Sequence, residues 1–287
     1  MSGIYRKLAL GLAFSPRVEA LIAECARLKK EWDAELVLIH VGSHGTQEDE
    51  KLEELLLKVD LTKKDVSVFW EQGEPSKKIL EVCKKEKVDL LITGALKKEN
   101  LVQYYLGTIA RNILRKANCS VLMLINPSEK ETSLKNIVVN AEDSPHVKTV
   151  LNVACKFGHR DPSAWLHIVK ELKLYSLTMS VSDQYSEQEY EEVRHKLVQE
   201  EIDNVYKLLE DIPHDGLKIN VKLVSGKSGF ELSKFAYRKN ADLLIVGAPR
   251  RKFFLFDRLF THDLEYIFAD LPCNLLLVKP GKEVPRG

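Results

Sequence analysis

Residues 94 to 108, GALKKENLVQYYLGT, place a glycine, a lysine three positions on and a closing Gly-Thr pair directly after the apolar run Leu90-Leu91-Ile92-Thr93. Those residue types suit anion chemistry. A glycine that ends a strand lets backbone amides approach an anion, and a glycine followed by Thr at a helix start offers N-terminal amides and a hydroxyl to phosphate oxygens. The same residues have a plainer use: Gly94 ends a strand, and Gly107-Thr108 caps a helix, where Thr is a favoured residue. A weaker copy, GAPRRKFFLFDRLFT at 247 to 261, follows Leu243-Leu244-Ile245-Val246 in the same way.

The elements that position these loops are also written twice. GEPSKKIL at 73 to 80 aligns with GKSGFELS at 226 to 233, DLLITGA at 89 to 95 with DLLIVGA at 242 to 248, and Thr108 with Thr261, all at an offset of 153. FSPRV at 14 to 18 parallels DSPHV at 143 to 147, and LVLIHV at 36 to 41 parallels AWLHIV at 164 to 169, which sets His40 against His167. Each copy alternates short apolar runs with stretches of helical period. In the first, strands are expected near 7–12, 35–41, 66–71, 89–94 and 120–125, with helices near 16–31, 47–60, 75–87 and 108–117 between them. Continuous apolar strands of this kind suit a parallel sheet covered on both faces by crossover helices. The expected fold class is therefore α/β: two tandem open α/β sandwich domains, Rossmann-like, each with a five-stranded parallel sheet. The first domain is drawn at 1–128 and the second at 134–287, with a polar, proline-bearing linker at about 127–133. The second copy is longer between its second and third strands, over about 170–212, where Val193, Leu197, Ile202, Val205, Leu208 and Leu209 recur at helical spacing. In such sheets a ligand lies beyond the carboxyl ends of the strands, so the residues after the first, second and fourth strands are the ones to read.

At this point the chain resembles the universal stress protein (UspA) family. Gly94-x2-Lys97-x9-Gly107-Thr108 is similar to that family's nucleotide loop, Gly-x2-Gly-x9-Gly-Ser/Thr, and both copies resemble its whole domain, including the Ser-Pro after the first strand and the NCSVLML and PCNLLLV endings. The resemblance implies ATP or another adenine nucleotide as ligand, with the loop after the first strand near adenosine, backbone at the end of the second strand at adenine, and the glycine loop around the phosphates. Carried over to the first copy, it implies a binding set of Ala13, Ser15, Val41, Gly94, Lys97, Gly107 and Thr108. Two of these depart from the pattern: Ala13 stands where an Asp is expected, removing a hydrogen bond, and Lys97 replaces the second glycine. The second copy departs further, with Glu142 for the Asp, Arg250 for the second glycine and Phe260 for the third, so no ATP is expected there.

Composition narrows the rest. The 287 residues are 45% hydrophobic and 30% charged, with 43 Lys plus Arg against 42 Asp plus Glu, so no global field draws the chain to nucleic acid or an anionic membrane. No apolar run reaches the roughly 20 residues of a membrane span, and the N-terminus lacks a secretory pattern, so a cytoplasmic protein without membrane insertion is expected. Five cysteines, at 25, 83, 119, 155 and 273, each lie in apolar stretches as small hydrophobes, with no CxxC metal site and no disulfide framework. SGKSG at 225–229 lacks the leading Walker glycine, with Val221 in its place, and no HExxH or Gly-x-Ser-x-Gly motif occurs. With no nucleophile beside a base, the expectation is a non-enzymatic stress sensor or regulator requiring no metal, paired as a homodimer or an intramolecular pseudo-dimer. The alternative is a nucleotide-independent interaction module serving a transporter or kinase, with RRKFFLFDRLF at 250–260 as its protein-docking surface.

Overall fold

A computed structural model describes residues 4–97, 104–130, 132–172, 187–225, 228–248 and 262–279. The chain divides into two compact units: Met1–Ser133 together with Phe268–Gly287, and Leu134–Ile267. The expected docking segment 250–260 and residues 173–186 lie outside the described residues.

In the first unit the order is β1 (Lys7–Leu12), α1 (Val18–Trp32), β2 (Glu35–Val41), α2 (Thr46–Leu57), β3 (Ser67–Glu71), α3 (Pro75–Lys85), β4 (Leu90–Gly94), β5 (Leu96–Lys97), β6 (Tyr104–Tyr105), α4 (Thr108–Lys116) and β7 (Ser120–Leu124). The second unit runs β8 (Asn136–Asn140), α5 (Val147–Gly158), β9 (Trp165–Glu171), α6 (Glu187–Leu209), β10 (Lys218–Val224), α7 (Ser228–Arg238) and β11 (Leu243–Gly247). Helix α8 (His262–Ala269) and strand β12 (Asn274–Val278) follow.

The first unit's sheet is ordered β12-β7-β4-β1-β2-β3. Pairing is parallel from β7 to β3, as the apolar runs predict. Its one antiparallel neighbour is β12, the last strand of the second copy, with Leu276 opposite Leu122. Side chains fix that strand at both ends: the Ile125 amide donates to Asn274 Oδ1 at 3.0 Å and the Lys279 amide to Ser120 Oγ at 3.0 Å. The second unit's strands are ordered β10-β9-β8-β11, all parallel. Central strands are buried along nearly their whole length, with Leu8, Leu10, Leu90 and Ile92 at 0% exposure, which is why they read as continuous apolar runs.

Local chemistry explains the repeated letters. The Asp that opens each DLLI run ties the start of the fourth strand to the first. Asp89 Oδ2 accepts the Arg6 and Lys7 amides, both at 3.0 Å, and Asp242 Oδ2 accepts the Asn136 amide at 2.8 Å. Helix α3 begins with Pro75 at its first turn, and the Glu74 carboxylate accepts from the amides of Ser76 at 3.0 Å and Lys77 at 2.7 Å. Helix α6 covers the period read in the sequence, with Val205 and Leu209 fully buried and Val193, Leu197 and Ile202 half-buried.

Candidate functional site

Strand register brings the candidate residues to one edge. Leu12 lies opposite His40 and Leu10 opposite Ile92, so the loop after β1, the end of β2 and the end of β4 share the carboxyl edge of the sheet. Helix α4 ends just before Ser120, which pairs with Leu90 at the opposite edge, so its N-terminus also faces the carboxyl edge. Ala13, Ser15, Val41, Gly94, Gly107 and Thr108 therefore meet there.

Each has a definite local state. Ala13 and Ser15 are exposed in a tight turn, the Ser15 amide donating to Ala13 O at 2.7 Å and the Val18 amide to Ser15 O at 3.0 Å. Val41 is half-buried beside Glu71. Gly107 is the extended residue before α4, and its carbonyl accepts the Arg111 amide at 3.0 Å; Thr108 is exposed as the first helical residue. Within the glycine loop the backbone forms a short antiparallel hairpin, Lys97 opposite Tyr104 and Leu96 opposite Tyr105, where the sequence offered only a loop.

Gly94 has a packing reason to be glycine. A β-carbon there would stand 3.3 Å from Leu21 Cδ1 on α1, and at Gly247 one would stand 3.2 Å from Val150 Cγ2 on α5. Leu21 and Val150 occupy matching positions in the two copies, so the glycine ending each fourth strand admits the first helix of its own copy. This close approach is independent of any phosphate.

Sequence reasoning missed most of the edge's side chains. Phe14, His40, His44 and Trp70 form one aromatic group: Phe14 and His40 rings lie 5.1 Å apart, His40 and Trp70 5.3 Å, and His44 stacks on Trp70 at 4.2 Å. His40 Nδ1 is 3.2 Å from Leu12 O, and His44 Nε2 is 2.9 Å from Asp49 Oδ2. That contact with His44, with Lys63 behind it, holds the Asp49 carboxyl below the usual range. Lys51 Nζ sits 5.3 Å from the Phe14 ring centre. Arg17 was missed as well: its guanidinium donates to Ala95 O at 2.8 Å and Ile125 O at 2.9 Å, capping the carbonyls where β4 and β7 end. The available signal was FSPR, aromatic and basic residues directly after the first strand.

The matching edge of the second unit is built from charge. Gly11 lies opposite Ile39 and Asn140 opposite Val169, so Lys170, not His167, matches His40, and Asp143 matches Phe14. This corrects the pairing of His40 with His167 by letter pattern. His167 is three residues earlier in the strand, 4% exposed, with its Nδ1 3.1 Å from Asn220 Nδ2. Lys170 is 8% exposed at its side chain and bonds Asp143 at 3.0 Å and Glu201 at 2.8 Å. Burial pulls its ammonium down, but Glu201 and Asp143 outweigh burial and raise it above the usual lysine value. At the third position Leu223 replaces Trp70, because Lys170 pairs with Leu223 as His40 pairs with Trp70. Glu142 is exposed, while Arg250, Phe260 and Thr261 lie outside the described residues.

Comparison with known proteins gives a consistent picture. Residues 4–124 and 133–279 each match the universal stress protein family model. Universal stress protein MJ0531 of Methanocaldococcus jannaschii is 26% identical over 146 residues, 44% of this chain and 86% of that protein. Among solved structures, a universal stress protein from Archaeoglobus fulgidus superposes with a TM-score of 0.65 at 15% identity, covering 96% of this chain and 98% of the other. A functionally unknown protein, PA1789 from Pseudomonas aeruginosa, gives a TM-score of 0.69 at 15% identity over 96% of this chain and 93% of its own. At that identity the structural likeness establishes the fold alone.

Proposed function

This chain belongs to the universal stress protein family, matched in both halves, and on that premise we propose a tandem, non-enzymatic regulator that binds an adenine nucleotide in its first unit only. The observation that carries the asymmetry is the carboxyl edge: aromatic in the first unit, occupied by the Lys170 ion pairs in the second. In this reading Val41 offers backbone to the base, Ala13 and Ser15 line the ribose side, and the Gly107-Thr108 start of α4 presents amides to phosphate, with Lys97 on the hairpin before it. Because Ala13 supplies no side-chain acceptor, affinity rests on backbone and ring packing.

The carboxylates held below the usual range have structural causes: Glu74 caps α3, Asp65 accepts from Thr62, Asp49 meets His44, and Asp211 pairs with Lys148. Among the described residues no cluster of His, Cys, Asp and Glu suits a metal ion, and no helix is long and apolar enough to cross a membrane. The protein in this reading acts in the cytoplasm, as a homodimer or an intramolecular pseudo-dimer. Titration calorimetry with ATP and AMP tests it: saturable heat at one site per chain is expected, and no heat at millimolar nucleotide with folded protein defeats it.

A further inference from the structure

Away from the nucleotide edge, two thiols of the first unit are brought together. Cys83 lies in the last turn of α3 and Cys119 just before β7; they are 5% and 8% exposed, and both are thiols. The backbone between them is tightly drawn. The Val88 amide donates to Cys83 O at 2.9 Å, and the Ser120 amide donates to Asp89 O at 3.0 Å, so the two cysteines flank the short Val88-Asp89 connection from either side. Their side chains interact directly. The pair is unequal. Interaction with Cys119, together with burial, pushes the Cys83 thiol well up, whereas interaction with Cys83, helped by the Lys279 ammonium, holds Cys119 below the ordinary thiol value despite burial. Lys279 is held at this end of the sheet, its Nζ donating to Ala117 O and its amide to Ser120 Oγ.

We propose that Cys83 and Cys119 form a peroxide-oxidisable dithiol, with Cys119 the attacking sulfur and Cys83 the resolving one. The Cys119 thiolate attacks one oxygen of hydrogen peroxide, giving Cys119 sulfenic acid and hydroxide, which takes up a proton to become water. The Cys83 sulfur then attacks the sulfenic sulfur; the S–O bond breaks, and the hydroxyl leaves with the Cys83 proton as a second water. Two thiols and one peroxide become one disulfide and two waters, with two electrons passing from sulfur to oxygen. The closed loop spans residues 83 to 119 and so contains β4, the whole glycine loop and α4. Oxidation thus restrains the segment that carries Gly94, Gly107 and Thr108, and does so whether or not a nucleotide binds.

The second copy supplies an internal control. Ala236 stands where Cys83 does, at the offset of 153, and Cys273 stands where Cys119 does. Ala236 is fully buried in its unit, so alanine is acceptable to the fold at this position. The test treats the full chain with hydrogen peroxide, denatures it under an alkylating agent and maps the products by mass spectrometry. Alkylatable thiols are expected to fall from the five in the sequence to three, with loss of two hydrogens in mass and a peptide linking Cys83 to Cys119. In Cys83→Ala, Cys119 is expected to stop at the sulfenic acid, trapped on denaturation with a 1,3-dione. Retention of all five thiols, cross-links among other cysteines, or conversion of wild-type Cys119 to sulfinic or sulfonic acid without a link each overturns the proposal.

Discussion

At the carboxyl edge, the two copies solve the same geometric problem with opposite chemistry. Where the first unit sets the Phe14 ring 5.1 Å from the His40 ring, the second sets the Asp143 carboxylate 3.0 Å from the Lys170 ammonium. Trp70 stands beside His40, Leu223 beside Lys170. Deeper in the sheets two contacts are shared. Asp89 and Asp242 hold the same neighbouring strand, and Gly94 and Gly247 admit the same helix. Residues that the fold needs have stayed; those at the rim have separated. A ring face can receive a planar base by stacking and keeps hydrogen-bonding groups available at its border. A buried ammonium already paired with two carboxylates has no unmet demand that a base would satisfy, and separating it from them is costly.

The comparison can be broken most severely at Gly107. Replacing it with Leu puts a side chain where the proposed site has α4 meet phosphate, and nucleotide affinity is expected to fall more than about 100-fold, whereas Phe260→Ala is expected to leave affinity unchanged. Calorimetric titration of both variants distinguishes a one-sided protein from one in which both loops serve. The next effect is on the other side. Lys170→Met strips the ammonium from Asp143 and Glu201; because the Asp143 side chain is 59% exposed, the cost should be about 1–2 kcal/mol, less than for a fully enclosed pair. Denaturant unfolding measures it, and nucleotide affinity should not move. Trp70→Ala should weaken nucleotide about tenfold by removing ring surface from the first edge, with Leu223→Ala silent in the same titration.

The smallest effect is one of pH. Burial first, and the Lys239 charge second, hold the His167 imidazole below its usual value, and Nδ1 accepts from Asn220, a bond that only the neutral ring makes. Since the folded ring resists a proton that the unfolded ring takes, its contribution is complete above about pH 6.5 and declines as pH falls from there toward the folded value. Thermal melts of the wild type should lose on the order of 1–3 °C more than His167→Leu does across that window. Equal losses would mean that His167 titrates normally.

Much of the architecture was legible because it depends on period and repetition. Buried strands such as Leu90-Leu91-Ile92 leave an apolar run that no surface segment would keep, and the offset of 153 exposed the duplication without reference to structure. The glycine loop's ends were legible for the same reason, as letters recurring at fixed spacing. Side chains that act across the sheet were not. Trp70 and His44 are far from Phe14 along the chain and become neighbours only through parallel register, and the two histidines at 40 and 167 looked equivalent until register showed Lys170 in that place. The antiparallel seat of β12 also rests on groups distant in sequence, Asn274 and Ser120 among them. Gly94 was read for its chemistry, but its neighbour Leu21 provides a steric reason that spacing does not encode.

The central claim is that one edge of two binds an adenine nucleotide, and native mass spectrometry of the intact protein titrated with ATP counts the occupants directly. One nucleotide per chain in the wild type, lost in Gly107→Leu and kept in Phe260→Ala, is the predicted result. Two nucleotides per chain, or one that survives Gly107→Leu, contradicts the account.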